Sequence, residues 1–250
     1  MARRRHSRRR GRGRFGFLLK LLATVVAVAA MVWAVTLFFR MDHIAVSGNI
    51  RYSEQEILEA SGLETGRNLY FINKFDVKEA IFDQLPYVEE VKINRKLPDT
   101  LLIEVRESEA VAAVESGDEV WMISEQGKLL ETVDKAPEKC PIVRGGELLE
   151  PEATKTVDFG EEASYRAGVM LTLLRLSGEK NMRGDIGVIE LSDETALSFT
   201  YLGRFTVRTP WTADIGYKLE SLATVVDYLE NNETGRIDLM TEGKASFIPG

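Results

Sequence analysis

Residues 86–107 read PYVEEVKINRKLPDTLLIEVRE, and this stretch decides the fold. Tyr87, Val91 and Ile93 share one parity, while Leu101, Ile103 and Val105 share a face of a second run. Lys92 and Asn94 stand opposite the first set, Glu104 and Arg106 opposite the second. That alternation predicts an antiparallel pair with one apolar face turned inward. Leu97-Pro98-Asp99 has the residue types of its turn. Upstream, Pro86 stops a helix carrying Val77, Ile81, Phe82 and Leu85 at helical spacing, with Asp76 placed to cap it. Gly66-Arg67-Asn68 is a turn leading into Leu69-Tyr70-Phe71-Ile72. Further back, Ser53 stands three residues before Glu56, the spacing of a capping box. Ile57, Leu58 and Leu63 give the short helix that follows its apolar side, and Gly62 is placed to end it. His43-Ile44-Ala45-Val46 reads as a short strand closed by the turn Ser47-Gly48-Asn49. The whole, from Asp42 to about Glu107, is a β-α-α-β-β module with two helices on one sheet face.

What precedes the module has another character. The chain of 250 residues has a net charge of −7, but Met1–Arg40 holds ten basic residues and no acid, hence +10. The rest is −17. One globular domain would not sort charge this way, and the acidic bulk argues against a nucleic-acid-binding body. Arg3, Arg4, Arg5, Arg8, Arg9, Arg10, Arg12 and Arg14 form a self-repelling, unstructured basic tail. Leu21–Phe39 has no charge, and at ~1.5 Å per residue a helix of that length approaches the ~30 Å core of a bilayer. A cleaved signal peptide needs a shorter apolar region followed by a small-x-small site. Ala27-Val28-Ala29 fits the triplet but lies inside the apolar run, with Met31, Trp33, Leu37, Phe38 and Phe39 after it. The expectation is an uncleaved anchor at residues 18–40, a basic tail at 1–17 on the cytoplasmic side, and everything from Met41 exported.

Downstream, Ala110–Val114, Val120–Ile123 and Lys128–Glu131 read as short strands, with turns at Gly117-Asp118 and Gln126-Gly127. Glu161–Ser177 reads as an amphipathic helix with Tyr165, Val169, Leu173 and Leu176 on its apolar side and Gly178 as its stop. Strands follow at Ile186–Leu191, Ala196–Leu202 and Phe205–Arg208. A second helix runs from about Ala213 to Leu229, its Ile215, Leu219, Leu222, Val226 and Leu229 packed on a sheet. Arg236–Met240 and Ala245–Ile248 form a terminal hairpin around Glu242-Gly243.

The residues of an enzyme are missing from this pattern. His6 and His43 are the two histidines, placed on opposite sides of the expected membrane, so no metal cluster or Ser-His-Asp triad assembles. A lone Cys140 cannot form an internal disulfide and reads as a small buried hydrophobe. Ser177-Gly178-Glu179-Lys180 matches S-x-x-K, but it closes a helix instead of opening one. Gly11-Arg12-Gly13-Arg14-Phe15-Gly16 matches a dinucleotide fingerprint without the strand and helix that give it meaning. Asn232-Glu233-Thr234 is a glycosylation sequon only in a eukaryotic secretory route. No cofactor, small-molecule substrate or nucleic acid is expected.

The module resembles the POTRA domain of the FtsQ/DivIB family of bacterial cell-division proteins. The resemblance is carried by Ile44, Val46, Gly48-Asn49, Ser53, Glu56-Ile57, Ser61-Gly62-Leu63, Gly66, Asn68-Leu69 and Ile72. Its more specific part is Pro86-Tyr87-Val88 with Arg95, Pro98 and Thr100-Leu101. Cys140-Pro141-Ile142-Val143-Arg144-Gly145 is similar to the family's Leu-Pro-x-Ile-x-Gly, with Cys140 for Leu. Where the family has Pro this chain has Ala110, and Ser124 stands where Asp is frequent. The resemblance implies an α+β protein: a single transmembrane helix, a POTRA domain at 41–108, and a second α/β domain at 109–250 with a mostly antiparallel curved sheet. It implies a non-enzymatic, single-pass type II membrane protein of the division septum. Such a protein binds the bitopic FtsL and FtsB/DivIC proteins and helps regulate septal peptidoglycan synthesis. It also implies a partner site at Arg236, Ile237, Asp238, Leu239, Lys244, Ala245, Ser246, Phe247 and Ile248, where a partner strand can extend the sheet. On the residues alone, that hairpin reads equally well as an ordinary last edge. The alternative function is a POTRA-containing component of polypeptide transport or envelope assembly.

Overall fold

The computed structural model describes residues 12–250, so expectations placed on Arg3, Arg4, Arg5, His6, Arg8, Arg9, Arg10 and Gly11 lie outside the described residues. Arg12 and Arg14, expected in an unstructured tail, belong instead to the first turns of helix α1 (Arg12–Phe38). Within α1, Gly16–Phe38 is long and apolar enough to cross a membrane, and none of its most apolar window is buried by the chain's own fold. The Thr24 and Thr36 hydroxyls donate back to the Lys20 and Val32 carbonyls at 2.9 and 2.8 Å, so neither needs water.

The chain divides into two compact units, one of residues up to Lys78 with Val91–Val105, the other of Glu79–Glu90 with Arg106–Gly250. The module's elements are β1 (His43–Ser47), α2 (Glu54–Ser61), a 3-10 turn (Leu69–Phe71), α3 (Lys74–Gln84), β2 (Val88–Lys96) and β3 (Thr100–Glu107). Its sheet has the order β1-β3-β2, with β1 parallel to β3. The capping box forms as expected: the Glu56 N–H donates to Ser53 Oγ at 3.2 Å and the Ser53 N–H to Glu56 Oε2 at 2.8 Å. Gly62 ends α2 at φ 61°, a left-handed conformation that costs glycine nothing. The start of α3 differs from expectation. Asn73 accepts from the Phe75 N–H at 3.1 Å and donates to Asp76 at 2.7 Å, so Asp76 sits inside the first turn and Asn73 holds its end.

The second unit contains a nine-stranded sheet. Its strands are β4 (Ala110–Ser116), β5 (Glu119–Ser124), β6 (Leu129–Val133), β7 (Ile142–Arg144), β8 (Ile186–Glu190), β9 (Ala196–Tyr201), β10 (Phe205–Pro210), β11 (Gly235–Asp238) and β12 (Ser246–Pro249). Their order is β12-β11-β10-β9-β8-β7-β4-β5-β6. Most pairings are antiparallel, but β7 runs parallel to both neighbours and β11 parallel to β10. Helices α4 (Glu161–Glu179) and α5 (Ile215–Tyr228) pack on each other, and Met170, Leu173, Leu174, Ile215, Leu219 and Leu222 join one buried core with Leu197, Phe199, Tyr201, Phe205 and Val207. The inward face of α4 is rotated from the expected one: Ala167, Met170, Leu173 and Leu174 are buried, while Tyr165 is exposed and its hydroxyl reaches the Trp211 carbonyl at 2.9 Å. Gly178 does not stop the helix, which runs on to Glu179; Asn181 takes the left-handed conformation at φ 57°. Cys140 is half-buried, and that burial raises its thiol above the ordinary range. Ser177 is buried and donates to the Leu174 carbonyl at 3.0 Å, while Lys180 pairs with Glu220 at 2.8 Å.

Asp193, in the β8–β9 turn, accepts from the Thr195 hydroxyl at 2.6 Å, the Thr195 N–H at 2.8 Å and Arg208 at 2.7 Å. These donors hold its carboxyl down at about 2, below the ordinary 3.8. A depressed carboxylate adds stability that is present above its unfolded value and is lost as pH falls through the folded one. The expected NMR titration of the Asp193 carboxyl carbon therefore has its midpoint near 2 and moves upward in Thr195→Ala. An unshifted midpoint in the unmodified chain would contradict the turn's hydrogen bonding.

Candidate partner-binding edge

The far edge of the nine-stranded sheet is β12, and its attachment begins with Gly235. At φ 149° this residue occupies backbone space closed to side chains, and a Cβ there would collide with the Ile248 carbonyl oxygen and lie 2.8 Å from the Gly250 nitrogen. Only glycine lets β12 approach β11 this closely. The register pairs Gly235 with Pro249, Arg236 with Ile248, Ile237 with Phe247 and Asp238 with Ser246.

The Gly250 N–H donates to the Thr234 carbonyl at 3.0 Å. Because bonded and non-bonded pairs alternate along an antiparallel ladder, the bonded pairs are then Arg236/Ile248 and Asp238/Ser246. The backbone N–H and C=O of Phe247 consequently point away from β11, along the open edge. Pro249 adds a carbonyl to that edge but has no N–H, which limits unspecific pairing. At the opposite edge, the start of β6 is engaged by the chain itself: the Leu129 N–H donates to Lys155 at 2.7 Å, and Leu129 accepts from Thr154 at 2.8 Å.

The two large apolar side chains of β12 take opposite faces. Phe247 faces inward, edge-to-face with Phe205 at a centroid distance of 6.0 Å, while Ile248 is 42 % exposed. Beside the edge lies α5, whose N-cap Asp214 accepts from the Tyr217 N–H at 3.1 Å. Lys218 points inward from α5, buried, and donates to the Leu239 carbonyl at 2.6 Å and the Thr241 carbonyl at 3.1 Å. It pins the β11–β12 connection to the helix. Two open cavities, of about 670 and 390 Å³, flank this contact. Tyr217 and Lys218 line both; Asp214, Met240 and Glu242 line the first, Thr224, Val225, Lys244 and Ala245 the second.

The nine residues named from the sequence are brought together at this end of the sheet, but they are not equivalent. Ile237 and Leu239 are buried, and β11 lies between β10 and β12, so neither presents a side chain or an edge. Asp238 accepts from the Met240 N–H at 3.0 Å. Arg236, Lys244 and Ile248 are exposed; Ala245, Ser246 and Phe247 are half-buried. Leu239, Lys244 and Ala245 belong to the connection, not to the strands. Sequence reading missed Gly235, Lys218 and Tyr217. A lysine directly before Leu219 on the helix's apolar side was the available signal for Lys218.

Residues 39–108 match the family described as POTRA domain, FtsQ-type. A protein named cell division protein DivIB, from Clostridium botulinum (strain Hall), is 27 % identical over 241 residues, which cover 93 % of this chain and 88 % of the relative. Clostridium acetobutylicum DivIB is 37 % identical over 94 residues, covering 38 % and 37 %. Streptomyces bingchenggensis cell division protein FtsQ is 28 % identical over 130 residues, covering 50 % and 49 %. Among solved structures, the major extracytoplasmic domain of DivIB from Geobacillus stearothermophilus aligns at a TM-score of 0.31 and 16 % identity, covering 50 % of this chain and 98 % of that one.

Proposed function

We propose, from the premise that this chain is a relative of the DivIB and FtsQ cell-division proteins, that it is a non-enzymatic scaffold of the divisome. It is anchored in the cell membrane by α1, with its N-terminus in the cytoplasm, as the basic residues before the span favour. The POTRA domain at 41–108 and the β domain at 109–250 act on the far side, at the septum. There they bind bitopic partners of the FtsL and FtsB/DivIC kind and help regulate septal peptidoglycan synthesis.

The observation that carries this reading is the open β12 edge, with the Phe247 backbone directed outward beside the α5 cavities. An extended partner segment would continue the sheet there, its backbone supplying affinity and its alternate side chains supplying specificity. Ile248 is the large exposed apolar side chain on that strand, so Ile248→Glu tests it without entering the core. Loss of one well-seated apolar contact at an interface centre costs on the order of 1–2 kcal/mol, which is roughly a five- to thirtyfold loss of affinity. The expected result is a folded chain with an unchanged thermal midpoint and weakened capture of purified FtsL–FtsB/DivIC-type partners. Unchanged affinity of the folded variant would reject the edge as their site.

A further inference from the structure

The geometry points to a second membrane contact: the end of the first unit nearest α1 dips Tyr70, Phe71 and Phe75 into the lipid headgroup layer. The inference rests on the proposed anchoring of α1 and adds an interfacial face to it.

The placement follows from backbone bonds at the end of the apolar helix. The Asn68 side-chain amide donates to the Thr36 carbonyl at 3.0 Å, and the Leu69 N–H donates to the Phe39 carbonyl at 2.9 Å. Phe39 and Tyr70 meet edge-to-face at 5.0 Å. A residue bonded to Thr36, inside α1, lies no more than about a helical turn from the end of the hydrocarbon span. The turn Leu69–Phe71 is therefore at the membrane surface whenever α1 crosses it.

That turn is tied down by hydrogen bonds and displays aromatic rings. Asn68 Oδ1 accepts from the Tyr70 N–H at 2.9 Å, while Arg95 donates to the Leu69 carbonyl at 2.7 Å and the Ile72 carbonyl at 3.1 Å. With its backbone fixed from within, the turn leaves Tyr70 52 %, Phe71 82 % and Phe75 70 % exposed. Outside α1, Phe71 and Phe75 are the exposed phenylalanines among the described residues. Leu97, also exposed, is in the β2–β3 turn, and that turn reaches the same end, because the Asp42 and His43 N–H groups both donate to the Asp99 carbonyl. Exposed aromatic rings carried near the end of a span are what the interface of a bilayer accommodates, each ring body meeting the acyl boundary. In water the same residues expose apolar surface, Phe71 and Phe75 most of all.

The test uses the full chain in phosphatidylglycerol–phosphatidylcholine nanodiscs, in a Cys140→Ser background. Single cysteines placed by Phe71→Cys, Phe75→Cys, Leu97→Cys, Ile50→Cys and Val28→Cys carry a nitroxide. Collision with oxygen, enriched in lipid, is compared with collision with a water-soluble nickel chelate. Labels at 71 and 75 are expected to favour oxygen, between the mid-span label at 28 and the water-exposed one at 50. Phe71→Glu with Phe75→Glu should shift the label at 97 toward the chelate. Labels at 71 and 75 as chelate-accessible as that at 50, with 28 in lipid, would overturn this inference and leave the anchor standing. A chelate-accessible label at 28 would overturn the anchor and this inference with it.

Discussion

Gly235→Val is expected to release β12 from the sheet while the rest of the nine strands persist. The new side chain would meet the Ile248 carbonyl oxygen and the Gly250 nitrogen, both backbone atoms that cannot rotate away. It would also have to hold φ 149°, where strain amounts to about 1–3 kcal/mol even before the collision. Among the described residues β12 has one strand neighbour, so no strand on its other side resists detachment. Hydrogen exchange should locate the change. The Ser246 and Ile248 amides, bonded to β11 in the native ladder, should lose their protection, while those of β8 and β9 keep theirs. Partner capture should fall with them, although no side chain on the outward edge has been altered. Native protection at Ser246 and Ile248 in the variant would show that the close approach of the two strands does not depend on glycine.

The second large effect is expected at Lys218. Its ammonium holds the Leu239 and Thr241 carbonyls, and its stem lies beside Leu219 on the buried side of α5. Lys218→Met preserves length and apolar contact but offers no donor. Leaving a buried carbonyl unpaired, with the charged hydrogen bond lost, costs ~2–4 kcal/mol. At about 2–4 °C per kcal/mol for a domain of this size, the thermal midpoint should drop visibly. Lys218→Arg is the discriminating companion: it can donate to carbonyls, so it should recover part of the loss if hydrogen bonding is the cause. Equal losses in the two variants would mean that the site responds to shape alone. The connection from Leu239 to Ala245 forms one wall of both cavities, so partner affinity should fall in Lys218→Met beyond what unfolding explains.

Local signals in the sequence were read correctly where the physics is local. The Ser53–Glu56 box, the left-handed Gly62 and the parity of Val91 and Ile93 against Leu101, Ile103 and Val105 each involve residues a few positions apart or one turn away. One local signal was misread at the start of α3, where Asn73 and not Asp76 accepts from the Phe75 N–H; the other errors arose where a remote neighbour decides. Gly178 reads as a stop by composition, yet it keeps an ordinary helical backbone, and a Cβ there would approach the Arg183 guanidinium. Glycine serves that close approach, and Asn181 makes the turn. On α4, Tyr165 has the bulk of a core residue, but its hydroxyl finds the Trp211 carbonyl at the rim, so Met170 and Leu174 fill the interior instead. β7 is three residues long, too short for any period, and exists because β4 and β8 flank it. The parallel pairing of β10 with β11 is equally invisible locally, since α5 carries the chain between them. At the candidate edge, the sequence pattern placed the terminal hairpin but could not tell the inward Phe247 from the outward Ile248. That distinction needed the register against β11.

The junction between α1 and the rest of the first unit bears on mechanics. The Met41 N–H reaches the Arg67 carbonyl at 2.8 Å, the Gly66 N–H returns to the Met41 carbonyl at 2.7 Å, and Asn68 clasps Thr36. No slack segment separates helix from domain, so the two turn as a shaft and its fitting. A swivelling tether would let the domain sample every bearing and a range of heights above the bilayer. With α1 in the bilayer as proposed, these bonds restrict both, so a second helix twisting against α1 in the plane of the lipid is expected to pass torque to the sheet of the first unit.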